Sequence, residues 1–573
     1  MSPIIRTTCI TLLTTFFCCN CAQAEFIKKT LMVAMRDGIE LSTDVYRDSS
    51  SNKQPVILIR TPYNKAGLEN IAPQFAKAGY VLVIQDCRGR FESGGIFIAY
   101  NNEGQDGFDT IEWVTKQSWS NRQVGMWGAS YYGATQWQAA AERPPGLKVI
   151  TPTATWTEFY GNIYQGGAVR LSMLTTWAAR MSQPPGEQLP TDWSRIFKTL
   201  PLSSVDDEIG WSIPWFENML THPKPDGFWH RLALSKEVVE LDLAVQHTVG
   251  YYDFFSREAV RSFNLMQQHA THEHVRNKQQ LILGPWDHGS IGRSKVGDWD
   301  FGETAIWDRT NANIKWLDRY LKPPNPEAEK PWYPVRYFSM GDNQWFNAKS
   351  WPPAVTMDRS FFLNSTGAAN TDSGTGTIST RRPARNQPAD RFISDPANPT
   401  PAYPANDTRP IDGVSWGPVD QRTIGSRDDV LVYSSGVLDK PLRFAGNPTA
   451  KLFVSASTAD ADWVVKLVNV HPSGFAQNIA VGVLRGRFRE SLLEPTLLKP
   501  GKVYQIEVDL GPVAATIEKG HELRVDISGA HFPLFDRNPN TGKGPNDGSS
   551  NKSAERVYHT RSLPSAIVLP IIE

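Results

Sequence analysis

Short unbroken apolar runs alternate with amphipathic stretches along the first third of the chain. Val56-Ile57-Leu58-Ile59 and Tyr80-Val81-Leu82-Val83-Ile84 are continuous runs, as strands covered on both faces require. Between them, Asn70 to Ala78 predicts a short helix with Asn70 as its cap, Pro73 in its first turn and Gly79 closing it. Phe108, Ile111 and Val114 share one helical face. A strand at Val124-Gly125-Met126-Trp127, a helix from Thr135 to Glu142 and a strand at Leu147-Lys148-Val149-Ile150 follow. Strand–helix alternation of this kind predicts a parallel, doubly wound sheet. Ahead of it, Leu31 to Met35 and Ile39 to Tyr46 flank Asp37-Gly38, which predicts a hairpin closed by a tight primed turn.

From about Asn162 to Asp242 the strand pattern gives way to helical stretches (Leu171 to Met181, Trp215 to Leu220, Leu232 to Leu241) broken by Pro-rich turns. The sheet resumes with Ala244 to Val249 and Leu281-Ile282-Leu283. Beyond Trp351-Pro352-Pro353, short alternating strands such as Lys451 to Val454, Trp463 to Val470, Tyr504 to Val508 and Leu523 to Ile527 are spaced by Gly, Ser, Thr and Pro, the signature of a β-sandwich of jelly-roll type. The chain thus divides into a leader (1–24), an α/β core in two parts (25–161 and 243–353), an inserted helical cap (162–242) and an all-β jelly-roll sandwich (354–573). At 573 residues, several domains are expected.

The sharpest chemical signal is Gly128-Ala129-Ser130-Tyr131-Tyr132-Gly133, which follows a buried strand and precedes a helix. That is the setting of a nucleophile elbow, in which small residues flank a Ser held on a strained turn. The usual spacing is Gly-x-Ser-x-Gly; here the second Gly comes one residue later. A Ser hydroxyl needs a base, and the base an orienting carboxylate, in the chain order Ser, Asp or Glu, His for an α/β-hydrolase. Asp253 and His288 each lie just past the carboxyl end of a late strand, where such sheets hold their sites. Asp287 adjoins His288, but neighbours in an extended loop point apart, so Asp253 is the better orienter. The residue after the nucleophile usually lends its backbone N–H to the oxyanion hole, here Tyr131. The loop Thr61 to Lys65 lacks a Gly-rich oxyanion motif, and the Tyr63 hydroxyl is a suitable second donor.

Composition narrows the partners. With 59 Lys+Arg against 59 Asp+Glu the chain is formally neutral and has no dense basic run, which argues against nucleic acid. Arg6, the apolar stretch Cys9 to Cys19 and Ala22-Gln23-Ala24 read as a secretory signal, which predicts a secreted or periplasmic mature protein. After its removal only Cys87 of five cysteines remains, so neither an intrachain disulfide nor a Cys-based metal site is expected. His269, His272 and His274 read as a solvated helix end rather than a metal site. No cofactor is implied, no later segment is apolar enough to span a membrane, and self-association is left open.

These motifs together resemble the family of bacterial cocaine esterase, glutaryl-7-aminocephalosporanic acid acylases, α-amino acid ester hydrolases and X-Pro dipeptidyl-peptidases. The resemblance rests on Arg60 to Lys65, Gln85 to Arg90, Val124 to Tyr131, Thr135 to Ala140, Tyr252-Asp253, Gly284 to His288, His531-Phe532-Pro533 and Asp536 to Gly542. It implies a Ser130, Asp253, His288 triad, an oxyanion hole of Tyr63 and the Tyr131 amide, and acyl-holding aromatics at Phe255 and Trp177. It also implies the core, cap and jelly-roll architecture. α-Amino acid ester hydrolases carry acids just after the Asp to hold an ammonium. Here Phe254, Phe255 and Ser256 follow Asp253, which weakens recognition of a free amine and favours an apolar or glutaryl-like acyl group. The expected function is hydrolysis of small carboxylic esters or amides. A dipeptidyl exopeptidase is the alternative, and a non-catalytic carbohydrate binder is disfavoured by the intact triad.

Overall fold

The computed structural model describes residues 26–49, 52–324, 331–404 and 417–573; the leader and four of the five cysteines lie outside them. The first half is built on a ten-stranded sheet. Its strands are β1 (Phe26–Ala34), β2 (Glu40–Asp48), β3 (Gln54–Thr61), β4 (Val81–Asp86), β5 (Ser120–Ala129), β6 (Leu147–Thr153), β7 (Ala244–Gly250), β8 (Gln279–Gly284), β9 (Val335–Ser339) and β10 (Gln344–Ala348). They lie in the order β1-β2-β4-β3-β5-β6-β7-β8-β9-β10. The central run from β4 to β9 is parallel, and antiparallel strands close both edges. The continuous apolar runs in β3 and β4 are buried almost throughout, because helices cover both faces. The strand order reverses between β3 and β5, and at such a switch point the loops splay to leave a crevice. Tyr63 follows β3 and Ser130 follows β5. This is the α/β-hydrolase fold.

Three local expectations are corrected. The β1–β2 hairpin does not close on a two-residue primed turn. Gly38 N–H donates to Met35 O at 2.9 Å and Met35 N–H to Ile39 O at 2.8 Å, with Arg36 and Asp37 at negative φ and Gly38 at φ +83°. That is a three-residue loop in which Gly38 alone takes the left-handed conformation. Asn70 does not cap the next helix. Residues Lys65–Ile71 form a 3₁₀ turn capped by the Asn64 side chain, and helix Ala72–Lys77 grows directly from it. The helix after the elbow also begins earlier than its apolar pattern implies, at Tyr131–Ala141.

Between β6 and β7 the chain makes short helices and one longer one, Leu171–Ser182, preceded by a small hairpin pairing Tyr164–Gln165 with Ala168–Val169. Leu232 to Leu241 is helical only over Ser235–Val238. The second half, from Thr356–Asn364 to Ala566–Ile572, is of the all-β class, with thirteen strands in one hydrogen-bonded network that fits a β-sandwich and only the single helical turns Arg422–Gly425 and Gly486–Phe488 among its described residues. The halves share an apolar core. Leu281, Leu283, Trp286 and Phe338 cluster with Leu431, Ala514 and Ile527, and Met340 exchanges backbone hydrogen bonds with Ala514 and Thr516. The β half also reaches the helical segment. Asp536 Oδ1 accepts from Val169 N–H at 2.7 Å and Pro533 O from Ser172 N–H at 3.1 Å, fixing the start of helix Leu171–Ser182. Among the described residues no helix is long and apolar enough to cross a membrane.

Candidate active site

Ser130 sits between β5 and helix Tyr131–Ala141 at φ 57°, ψ −127°. A non-glycine residue there is strained, and the helix holds it. Its N–H donates to Thr153 O, and its carbonyl accepts from Gly133 and Ala134, each at 2.9 Å. The displaced second glycine has a physical reason. A Cβ at Gly133 would lie 2.9 Å from Thr155 Cβ, so the helix can press against the strand β6 exit only without one. Tyr132 occupies the usual glycine place, and its ring and carbonyl fill the space beside Gly128. A Cβ at Gly128 would stand 2.2 Å from Tyr132 Cδ2.

Asp253 and His288 come together across two loops. His288 Nδ1 and Asp253 Oδ2 are 2.9 Å apart, and Asp253 Oδ1 accepts from Phe255 N–H at 2.8 Å. The carboxylate is fully buried, whereas the imidazole keeps 15% of its surface open. The loops are clamped by backbone contact: Tyr251 donates to Gly284 O at 2.9 Å and Tyr252 to Trp286 O at 3.0 Å. Gly250 makes this approach possible, since a Cβ there would fall 1.9 Å from the Trp286 carbonyl oxygen. Asp287 is buried, and its Oδ1 accepts from Gly289 N–H at 3.1 Å. Of the other histidines, His269 ends helix Ser256–His269, and exposed His274 pairs with Asp242 at 2.7 Å.

The Tyr63 hydroxyl accepts from Trp177 Nε1 at 3.1 Å and borders the same cavity as Ser130. Tyr63 keeps 36% of its surface accessible where it borders the cavity. Desolvation nonetheless pushes its phenol up to about 12, so it is a protonated donor at neutral pH. Tyr131, the first residue of the helix after Ser130, is fully buried. Its hydroxyl donates to Glu103 Oε1 at 2.8 Å and accepts from Tyr100 N–H at 3.0 Å.

Ser130, Tyr63 and His288 open onto one cavity of about 710 Å³. Phe255 lies in its wall, 4.3 Å from the Trp156 ring, and Trp177 stacks on Tyr100 at 5.8 Å. A smaller cavity of about 230 Å³ lies elsewhere, between the helical segment and the β half. Sequence patterns did not single out Tyr100, Trp156, Phe159 or the rim arginines Arg90, Arg180, Arg293 and Arg309, which also line the active cavity. They arrive from separate segments; Arg90 alone lies in a motif the sequence offered, Gln85 to Arg90, and nothing in that motif marks it as a cavity residue. Among the described lining residues there is no Asp or Glu. A serine beside a phenol donor and a carboxylate-bound imidazole can perform acyl transfer.

Comparison with known proteins agrees with this geometry. Residues 37–290 match the X-Pro dipeptidyl-peptidase (S15 family) and residues 330–568 its C-terminal non-catalytic domain. The chain is 34% identical over 96% of its length to cocaine esterase of Rhodococcus sp. (strain MB1 Bresler), covering 99% of that protein. It is 23% identical to a putative serine esterase of Mycobacterium bovis, over 94% of this chain and 95% of that one. Among solved structures, an α-amino acid ester hydrolase superimposes with a TM-score of 0.84 at 28% identity, covering 96% of this chain and 97% of that one. An aminopeptidase from the marine sediment archaeon Thaumarchaeota archaeon gives a TM-score of 0.84 at 27% identity with the same coverage. The chain belongs to the CocE/NonD family of serine esterases and hydrolases and is an enzyme of the α/β-hydrolase type.

Proposed function

We propose that the protein hydrolyses carboxylic esters or amides of small acyl substrates through a Ser130, His288, Asp253 triad and an acyl-enzyme. The observation that carries this reading is the 2.9 Å contact of His288 with buried Asp253 at a cavity that also receives the strained Ser130. Asp253 holds the imidazole in the tautomer whose Nε2 takes the Ser130 proton as the hydroxyl attacks the carbonyl. The Tyr63 hydroxyl and the Tyr131 N–H hold the developing oxyanion; both are preorganised, one by Trp177 and one by the helix start. His288 then gives its proton to the leaving group, and water hydrolyses the acyl-enzyme. Trp177, on the helical segment 162–242 that we read as a cap, and Phe255, on the core (25–161 and 243–353) beside Asp253, shape the acyl pocket. We read the β half (354–573) as a jelly roll and residues 1–24 as an export signal.

A dipeptidyl exopeptidase is the second reading, favoured by the match of residues 37–290 to the S15 family. It must hold an N-terminal ammonium, and the described cavity lining offers no carboxylate. Matched p-nitrophenyl esters and p-nitroanilides with benzoyl, glutaryl and Ala-Pro acyl groups separate the readings. Esters cleaved with benzoyl leading supports the esterase. An Ala-Pro anilide cleaved best would replace it with the peptidase. Fluorophosphonate labelling that persists in Ser130→Ala would remove the triad.

A further inference from the structure

Four arginines line the active cavity, and no counter-ion meets them. Arg90, Arg180, Arg293 and Arg309 border the space above Ser130, and among the described residues none is in an ion pair. Several buried or half-buried guanidiniums elsewhere do sit on carboxylates: Arg60 on Glu103, Arg88 on Asp106, Arg485 on Asp462 and Arg524 on Asp526. Arg90 and Arg309 are half-buried and held in place, Arg90 by Pro62 O and Met181 O and Arg309 over the Trp127 ring at 4.7 Å. Arg180 and Arg293 are exposed at the mouth. Position at the last turn of helix Leu171–Ser182 suits a cation at Arg180. It does not account for convergence of four cations from four segments on one cavity. Unpaired charges of one sign around a low-dielectric cleft focus a potential that attracts the opposite charge.

The cavity is divided. Its inner wall is aromatic and aliphatic and closed to solvent: Tyr100, Trp156, Phe159, Leu174 and Phe255 are each at most 6% exposed. Arg180 and Arg293 form the exposed part of the lining and Arg90 and Arg309 its half-buried part. An acyl group bound in the inner wall leaves the other half of the substrate facing the arginines. We propose that the substrate is an ester of a hydroxy acid, with an aromatic or branched acyl group inside and the carboxylate on the leaving group at the arginine rim. The inference rests on the esterase reading of this site. In the reaction Ser130 Oγ bonds the acyl carbon, the C–O ester bond breaks, and the hydroxy-acid oxygen takes the proton from His288. Water then cleaves the acyl-enzyme, releasing the carboxylic acid and restoring the Ser130 hydroxyl.

The test compares O-benzoylglycolic acid with O-benzoylglycolamide, its neutral counterpart, on the full-length protein. The expected kcat/KM favours the carboxylate about tenfold or more, the scale of one charge-assisted hydrogen bond. Added salt lowers this ratio, and Arg180→Gln with Arg293→Gln brings it down about tenfold. A ratio at or below one in the unaltered protein, or one untouched by the double substitution in protein with native circular dichroism, overturns the inference and leaves the esterase reading standing. A double variant that does not fold leaves the unaltered protein's ratio and its salt dependence to decide. Faster turnover of p-nitrophenyl hydrogen glutarate than of p-nitrophenyl benzoate would move the charge to the acyl side and overturn it as well. No turnover of any ester, with no fluorophosphonate labelling of folded protein, would remove the esterase reading itself and the inference with it.

Discussion

The buried hydroxyl of Tyr131 donates to Glu103 at 2.8 Å, tying the first residue after Ser130 to helix Glu103–Thr115. Glu103 also meets Arg60 at 2.9 Å, so its carboxylate is held from two sides. Tyr131→Phe removes the hydroxyl and leaves a buried acceptor short of one partner. Urea unfolding should show a loss of about 1–3 kcal/mol. The backbone N–H survives, so kcat should fall far less than in the next variant.

Tyr63→Phe removes one proposed oxyanion donor and strips Trp177 Nε1 of its acceptor. With p-nitrophenyl benzoate, kcat should fall by about 10²–10³ with the thermal midpoint nearly unchanged. An unaltered kcat would take Tyr63 out of the reaction.

Asp253→Asn keeps the shape of the carboxylate and reverses its hydrogen bonding to His288. The wrong tautomer should lower kcat by about 10⁴, with circular dichroism unchanged. A drop of only a few fold would make Asp253 a packing residue.

Gly250→Ala places a methyl group 1.9 Å from the Trp286 carbonyl oxygen. The two loops must separate, at a cost of about 1–3 kcal/mol or more in stability. Because Asp253 and His288 ride on those loops, kcat should drop although neither residue is altered. Chemical denaturation and steady-state kinetics on the same preparation check both effects.

His247 on β7 is buried against Trp137 and Phe263, and desolvation lowers it from its ordinary 6.5 to about 3. Between those values the unfolded chain binds a proton that the folded chain refuses. Stability therefore falls as pH drops from 6.5 toward 3, with this residue contributing up to about 1.4 kcal/mol per pH unit. His247→Gln should flatten that limb of the curve measured by urea unfolding.

What could be read from the chain depended on whether the signal was local. Val56 to Ile59 and Tyr80 to Ile84 announce buried parallel strands because burial on both faces demands unbroken apolar runs. Ser130 is legible because an elbow needs small neighbours between a strand and a helix. Asp253 and His288 needed one further step, the rule that late strands end at the site. Asn70 misled because Asn64, six residues earlier, already caps a 3₁₀ turn that runs into the helix. The hairpin turn misled because Asp37-Gly38 also suits a loop one residue longer. Glu103 under Tyr131 was invisible, as was the convergence of the rim arginines, of which only Arg90 lies in a motif. Their meaning lies in partners dozens to hundreds of residues away, and no periodicity encodes which loops meet.

Asp536 and Pro533, deep in the β half, hold Val169 and Ser172 at the root of the helix that carries Trp177 and Arg180. The proposed triad belongs to one half of the chain, while the shape of the space around it is set from both. Selection can therefore retune which molecules this enzyme accepts by altering a loop some 400 residues downstream of Ser130, with the chemistry itself left untouched.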